Sequence, residues 1–343
     1  MSQTVLTEVD QTDPGGMLDV RSSRMRRLAV SSTLYIGLAL LALIATFSAF
    51  SPGAFTSAYN VRTVATDASV LLVVAVGATF VIATAGIDLS VGGVLVFSGV
   101  VSVKAMDGVG RGSGAVYLGL LVALAAGLGW GIVNGLLVAK AHVPPLIATL
   151  GSLGMSMGLA QLVTDGADLR GVPGGLVDQL GLGRLFGVPW LVVIAAAVTV
   201  VGMVALNLNR FGTYTLAIGS NPVSARRAGI NVDRHLIKVY ATAGLLAGLA
   251  GYLNLARFAT TTIAGHNTDN LQAITAVVIG GTSLFGGVAT VLGTVIGVFI
   301  PAVLENGFVI LGVPPFWQQT VIGAVLVIAV FLDQFKRTKN ANR

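Results

Sequence analysis

The chain has 343 residues, of which 55% are hydrophobic and only 10% charged, and its mean hydropathy is +0.88. Soluble domains carry roughly 25% charged residues, so this composition excludes an ordinary soluble protein and indicates an integral membrane protein. The formal net charge of +6 would also suit nucleic-acid binding, but the basic residues lie beside apolar runs. The absence of cysteine excludes disulfide frameworks and thiolate metal sites.

The apolar runs are continuous and about twenty residues long, the length a helix needs to span roughly 30 Å of hydrocarbon. A β-barrel would show alternating residues in segments of about ten. The predicted fold class is therefore all-α integral membrane protein with about ten transmembrane helices. The predicted spans, of which the eighth is short, are 29–50, 64–85, 90–106, 115–138, 146–164, 190–208, 234–256, 271–281, 287–304 and 317–332.

Residues 1–20 are polar and aperiodic, which predicts a disordered tail. A basic cluster that begins at Arg21 precedes the first apolar run. This run is too long and starts too late for a signal peptide, so we expect it to be retained as a span. Residues 21–333 then form one polytopic domain, and residues 334–343 form a basic tail.

The basic residues predict the orientation of the domain. With ten spans both termini lie on the same side of the membrane. Fourteen of the 20 Lys and Arg residues then fall on that side, and six fall on the other, namely Arg62, Lys104, Arg111, Arg170, Arg184 and Arg257. By the positive-inside rule both termini are predicted to be cytoplasmic.

Two glycine-rich stretches interrupt the apolar pattern. Thr84 to Gly93 reads TAGIDLSVGG, and Gly280 to Gly287 reads GGTSLFGG. At an offset of 194 residues Gly86 matches Gly280 and Gly92 matches Gly286, which indicates a diverged internal repeat. Irregular backbone at membrane depth is tolerated only where protein buries it or where it lines a cavity. The candidate helix-break or translocation-path residues are Gly86, Asp88, Ser90, Gly92, Gly280, Gly281, Thr282 and Gly286.

Asp88 is the most conspicuous acidic residue close to membrane depth, where a carboxylate is costly. One interpretation is a functional residue that binds an ion, a proton or a polar substrate. The favoured interpretation is that Asp88 or Ser90 caps a helix that starts near Val91.

Thr149, Ser152 and Ser156 follow one another at spacings of three and four, which places them on one helix face. They are candidates for lining a translocation path. Hydrogen bonding between helices explains the same pattern equally well.

The longest polar interruption is Asn209 to Asp233. Within it, Asn221 and Pro222 predict a helix start, and Ala228 and Gly229 predict its end. Such a short charged helix, with Arg226 and Arg227 on it, suits docking to a soluble partner at the membrane surface. A solvated connecting loop is the alternative.

Several motifs are absent from the sequence. No Gly-Lys pair occurs, so the chain has no Walker-type phosphate loop and is not expected to hydrolyse ATP. No HExxH or GxSxG motif occurs, and the three histidines lie on different segments. We therefore predict no catalytic, cofactor-binding or metal-binding residues.

Four stretches together resemble the permease subunit of bacterial ABC importers for simple sugars of the ribose, xylose and arabinose type, which is related to the branched-chain amino acid permeases. They are TAGIDLSVGGVLVFSGV (84–100), VPPLIATLGSLGMSMGLAQLVTDG (143–166), RFGTYTLAIGSNPVSARRAGINV (210–232) and AVVIGGTSLFGGVATVLGTVIG (276–297).

The resemblance implies a permease domain in the bacterial inner membrane and a cytoplasmic coupling loop at 209–233. It implies three kinds of partner: a second permease subunit, two P-loop ATPase subunits that bind the ATP, and an extracytoplasmic sugar-binding protein. Nucleic acid is not among them. The positions that match the ATPase-coupling helix are Ser220, Asn221, Pro222, Ser224, Ala225, Arg226, Arg227 and Gly229.

Alternatives remain at this point. An ion-coupled secondary transporter or channel for a small polar solute is favoured only by Asp88, and an intramembrane enzyme lacks any nucleophile and base pair. Pentose or hexose is the expected substrate, with furanosides, nucleosides and branched-chain amino acids as alternatives. A homodimer and a heterodimer of permeases are both open.

Overall fold

The computed structural model describes residues 33–314 except 111, 264 and 267, and also residues 317, 320, 321, 323, 324 and 331. Most of the described chain is α-helical. The predicted tails at 1–20 and 334–343 and most of the predicted tenth span, 317–332, lie outside the described residues.

The helices of the described part pack into a single bundle. In chain order they are α1 Thr33–Phe50, α2 Pro52–Phe55, α3 Ala58–Ala83, α4 Val91–Val109, α5 Ser113–Ala139, α6 Pro145–Thr164, α7 Gly174–Leu176, α8 Trp190–Asn207, α9 Arg210–Ser220, α10 Pro222–Arg227, α11 Val232–Phe258, α12 Asp269–Ile279 and α13 Val291–Ile310. A π-helical turn, Val177–Gly181, follows α7, and strands β1 (Arg184–Leu185) and β2 (Val188–Pro189) form a small antiparallel hairpin.

Eight of these helices are long and apolar enough to cross a membrane, and α12 is shorter, with 11 residues. The all-α multi-pass prediction is therefore confirmed, and the described spans were predicted to within a few residues at most ends. Three ends differ more, and one of them is the end of α13, at Ile310 rather than at 304. α3 begins at Ala58 rather than at 64, because the Ser57 side chain accepts from the N-H of Asn60 and starts the helix early. α13 begins at Val291 rather than at 287, because Thr290 caps it.

The centre of the bundle is α11, which packs against α3, α4 and α5. Its contact with α5 depends on small residues: a Cβ on Gly131 would lie 2.8 Å from the Cα of Ala241, and one on Gly127 would lie 2.7 Å from the N of Gly248. Such close backbone approach replaces the hydrophobic driving force that is missing between helices in lipid.

A second group of contacts joins α3, α12 and α13. The side chains of Asn60 and Asn306 exchange two hydrogen bonds, at 2.8 and 2.9 Å, between α3 and α13. The Gln272 Nε2 of α12 donates to the Glu305 carboxylate of α13 at 3.2 Å. These pairs satisfy polar groups inside an otherwise apolar bundle.

The loop between α6 and α8 is hydrogen-bonded to the loop that follows α11. The Asp168 carboxylate accepts from the N-H of Ile263 at 2.8 Å, and the Thr261 hydroxyl accepts from the N-H of Leu169 at 2.7 Å. The backbone N-H of Thr261 donates in turn to the carbonyl of Leu169 at 3.0 Å. By the predicted orientation these hydrogen bonds lie on the extracytoplasmic side.

Candidate functional site

The polar loop 209–233 folds into two consecutive helices, α9 and α10, which meet at Asn221. The predicted short helix is confirmed: the Asn221 side chain accepts from the N-H of Ser224 at 2.9 Å, and Pro222 occupies the first turn. Gly229, with φ of +83°, follows its end. A residue with a side chain rarely adopts this φ, so glycine allows the chain to turn back toward α11.

Helix α9 was not predicted, because the polar residues of this stretch were interpreted as loop. Its buried residues are Gly212, Thr215, Ile218 and Gly219, at spacings of three and four. Two of these four are glycines and one is a threonine, so the apolar periodicity that reveals a helix is weak here. The Thr215 hydroxyl contacts Nε2 of His235 at 2.8 Å and so ties α9 to the start of α11.

Helix α10 lies on the surface and presents a basic face. Its one buried residue, Ala225, packs with Ile218 and Val232. Arg226 makes an ion pair with Asp233 at 3.0 Å while its side chain stays 66% exposed. Among the residues that the structure describes, the exposed Arg227 has no hydrogen-bond or ion-pair partner. This helix therefore offers an unpaired guanidinium to an external acidic group.

The first predicted break is confirmed as a non-helical segment, residues 84–90, between α3 and α4. It joins two full-length helices. Close contacts surround it: a Cβ on Gly86 would lie 2.8 Å from the Tyr240 hydroxyl, and one on Gly92 would lie 2.7 Å from the His266 carbonyl oxygen. The segment is thus buried in protein, as irregular backbone inside a membrane protein must be.

Asp88 is 3% exposed and lies in this first break. Its Oδ1 accepts from the Ser90 N-H at 2.9 Å and from the Ser90 hydroxyl at 2.6 Å. Asp88, but not Ser90, therefore fits the predicted role of accepting a hydrogen bond from a backbone N-H at the start of α4. The carboxylate binds the N-H of the residue that precedes α4, whereas the Ser90 side chain makes no capping bond because its hydroxyl points to Asp88.

The bonds continue from Asp88 across two helices. The Asn134 Nδ2 of α5 donates to the Ser90 hydroxyl at 2.8 Å, and the Ser152 hydroxyl of α6 donates to the Asn134 Oδ1. The Thr149 hydroxyl lies 3.3 Å from the Ile87 carbonyl oxygen. A chain of polar side chains thus joins the first break to α5 and α6.

The stripe Thr149, Ser152 and Ser156 is fully buried. Thr149 and Ser152 bond to other elements, while the Ser156 hydroxyl donates to the Leu153 carbonyl at 3.1 Å and lies against Gly93. Of the three, Thr149 contacts the first break, Ser152 contacts α5 and Ser156 contacts α4. Ser152 therefore makes the hydrogen bond between helices that the alternative interpretation predicts, and a role of the stripe in lining a path stays a prediction.

The second predicted break, residues 280–290, joins the half-length helix α12 to α13. Gly281, Gly286 and Gly287 all have positive φ, at +91°, +76° and +76°. The Thr282 hydroxyl accepts from the N-H of Thr290 at 3.3 Å, and the N-H of Ser283 donates to the Val288 carbonyl at 2.9 Å. Close by, a Cβ on Gly280 would lie 2.5 Å from the backbone of Gly293.

The predicted register of the internal repeat is wrong. Gly92 lies in the first turn of α4, whereas its partner at an offset of 194, Gly286, lies in a loop five residues before α13. Ser90 and Thr290 are the residues that directly precede the two helices, an offset of 200. The second break is longer than the first, so no single offset aligns both of its ends.

The two breaks meet at the end of α9. The N-H of Gly287 donates to the Ala83 carbonyl at 3.0 Å, and Gly219 lies against both groups. A Cβ on Gly286 would lie 2.7 Å from the N of Ala85 and 2.8 Å from the Gly219 carbonyl oxygen. The sequence singles out Gly286 as a candidate and Gly287 only as the end of the glycine-rich stretch. It gives no sign of Gly219, because nothing in the local pattern distinguishes this residue from the other glycines.

The fold, a multi-pass helical bundle with a short basic helix exposed between two spans, suits a membrane transport permease. Sequence comparison agrees: residues 60–330 match the family described as the branched-chain amino acid transport system permease component. The chain belongs to this family.

Curated relatives cover most of the chain. The ribose import permease protein RbsC of Escherichia coli strain K12 is 39% identical over 88% of this chain and 93% of its own length. The ribose import permease protein of Bacillus subtilis strain 168 is 36% identical over 88% and 92%. The galactose/methyl galactoside import permease protein MglC of Escherichia coli strain K12 is 34% identical over 87% and 92%. No solved structure matches at a comparable level of significance.

Proposed function

We propose that this chain is the permease subunit of an ATP-driven importer and forms the translocation path for a monosaccharide, a pentose or a hexose, in a bacterial inner membrane. The observation that carries the proposal is the exposed α10 with its unpaired Arg227, in a family whose matching relatives are sugar import permeases. The chain itself is non-catalytic and takes no cofactor. ATP is bound by a separate partner.

The partner on the cytoplasmic side is a P-loop ATPase that docks on α10. Helix α10 is fixed to the bundle by the packing of Ala225 and to the start of α11 by the ion pair between Arg226 and Asp233. It can therefore transmit a force to the bundle instead of moving independently of it. Arg227 pairs with a carboxylate or a carbonyl group of the ATPase. The contact residues on this surface are the exposed ones among those that the family resemblance indicates, namely Ser220, Asn221, Pro222, Ser224, Arg226, Arg227 and Gly229. Ala225 is buried against the bundle and is not one of them.

The second permease subunit packs on the exposed face of α6. Leu150 and Met155 are exposed there, and a Cβ on Gly151, Gly154 or Gly158 would meet no described atom within 4 Å. Glycines at such spacing let a second helix approach closely. The partner is a second copy of this chain or a homologous chain, since both require the same kind of small-residue surface.

The extracytoplasmic partner is a sugar-binding protein that docks on the loop between α6 and α8. The tip of the β1–β2 hairpin presents Phe186, which is 98% exposed, and Leu182 lies exposed nearby in sequence. Phe186 and Leu182 supply the exposed apolar side chains that this docking would bury.

The ATPase contact is tested by affinity purification from the native host in mild detergent, followed by mass spectrometry and an ATPase assay. The wild-type chain should co-purify with a P-loop ATPase. Arg227→Glu should reduce the co-purified ATPase about tenfold or more, because it replaces a charge-assisted bond by like-charge repulsion. Arg226→Glu is the less clean variant, since it also places an acid beside Asp233.

Arg184→Glu is the matched control, because it makes the same charge change on an exposed arginine across the α8 span. It should leave the co-purified ATPase unchanged. Full retention of the ATPase by the Arg226→Glu/Arg227→Glu double variant would refute the docking role of α10.

The ion-coupled alternative rests on Asp88 alone. No comparison favours it, and in this structure the carboxylate already accepts two hydrogen bonds from Ser90.

A further inference from the structure

We propose that a movement of α10 is transmitted to the bundle through a contact of main chains at Gly219, called the joint, which links the end of α3 to the second break and so moves both breaks together. The inference rests on the proposed ATPase docking and adds the residues through which it acts. Gly219, Ala83 and Gly287 are positioning residues here. None of them needs to touch ATP, ATPase or sugar.

The joint is a three-way contact of main chains. Gly219 is the second-last residue of α9, Ala83 is the last residue of α3, and Gly287 lies in the second break. The hydrogen bond from Gly287 N-H to the Ala83 carbonyl closes the contact between the breaks at 3.0 Å. A Cβ on Gly219 would lie 2.6 Å from the N of Gly287 and closer still to the Ala83 carbonyl oxygen.

The chain segment between α10 and Gly219 is short and hydrogen-bonded. Only Ser220 and Asn221 separate Gly219 from Pro222, the first residue of α10. The N-H of Asn221 donates to the Ala217 carbonyl at 3.0 Å, and the Asn221 side chain caps α10. A push on α10 therefore displaces the end of α9 rather than being absorbed by a flexible loop.

Both breaks respond because Gly219 touches the second break at Gly287 and the last residue of α3, Ala83, from which the first break starts. The first break carries the Asp88 network and leads to α4. The second break turns at Gly286 and Gly287, which also contact Ala85 and Ser220. One displacement at Gly219 is thus delivered to the helix pair α3 and α4 and to the pair α12 and α13.

The test compares Gly219→Ala with the matched control Gly129→Ala in the purified importer with its co-purified ATPase. Gly129 is an exposed glycine within helix α5, and a Cβ there meets no described atom within 4 Å. We expect Gly219→Ala to keep the ATPase bound but to lower ATP-driven sugar uptake about tenfold or more, because the added methyl group separates the contacts. Gly129→Ala should keep uptake within about threefold of the wild type.

Uptake by Gly219→Ala equal to the wild type would overturn the joint. Failure of the wild-type chain to co-purify with an ATPase would instead refute the proposed function. The failure of the joint and the failure of the proposed function are therefore distinguishable.

A second measurement decides the matter if Gly219→Ala does not fold. The chain has no cysteine, so Ile87→Cys and Phe285→Cys each introduce a single thiol, one in each break. We expect ATP bound to the partner to change the rate of thiol modification at both positions severalfold, with Ala54→Cys, an exposed position on α2, as the reference. A response of only one break, or of neither, would overturn the proposal.

Discussion

The two helix breaks lie side by side but are built differently. In the first, residues 84–90, a buried carboxylate, a serine and an asparagine form a chain of side-chain bonds to α5 and α6. In the second, residues 280–290, the described bonds lie within the segment or to its own flanking helix residues, apart from the backbone bond to Ala83. Three glycines with positive φ set its shape.

This difference indicates two mechanical roles. The first break is anchored, because displacing it would leave buried donors and acceptors without partners, each at a cost of roughly 1–3 kcal/mol. The second break can change its turn at lower cost, since glycine allows several backbone conformations. We therefore expect perturbations of side chains to be larger in the first break than in the second.

The largest effect is expected for Asp88→Leu, which removes the acceptor of two buried donors on Ser90. The free energy of unfolding should fall by about 3 kcal/mol, measured by thermal unfolding in detergent. Asp178→Leu, at an exposed carboxylate, is the control and should change stability by less than about 0.5 kcal/mol. Equal stability of Asp88→Leu and the wild type would mean that the first break is not anchored by Asp88.

Asn134→Leu comes next, because it cuts the chain of bonds between the first break and α6. We expect a loss of about 2 kcal/mol. In a double-mutant cycle with Ser152→Ala the two changes should couple by about 1 kcal/mol, since the residues share a bond. Additive effects would contradict the network. Asn207→Leu, which changes an exposed asparagine with only a local bond, should be close to neutral.

Thr282→Val probes the second break. It removes the hydroxyl that accepts from the N-H of Thr290 at 3.3 Å, a long bond. The stability loss should be about 1 kcal/mol and therefore smaller than for either variant of the first break. Thr213→Val is a matched exposed control. A loss larger than that of Asp88→Leu would reverse the proposed difference between the breaks.

The smallest effect is expected for Asp88→Asn. The amide oxygen still accepts from the Ser90 N-H, so stability should change by about 1 kcal/mol or less, and ATP-driven uptake should stay within about twofold of the wild type. Uptake and unfolding are measured on the same preparation. A folded variant that no longer transports would show that the charge or proton of Asp88 is required.

The sequence predicted much of this fold because its signals are local. Continuous apolar runs marked the spans, and the Asn221–Pro222 start marked α10. Polar residues among glycines marked both breaks. The joint was not predictable, because Gly219 meets Ala83 and Gly287 through main-chain atoms that any sequence possesses. The only sign of the joint in the sequence is that position 219 is a glycine, and the chain has 45 glycines. The repeat register failed for a related reason, since glycine matches are common in such a chain.

The central claim is that this permease imports a monosaccharide with energy from a partner's ATP. The most direct test reconstitutes the chain with its co-purified ATPase and binding protein in liposomes and measures uptake of labelled pentoses and hexoses. Uptake should require ATP on the ATPase side and persist when proton and sodium gradients are collapsed. Uptake driven by an ion gradient, without ATP or the ATPase, would contradict the claim.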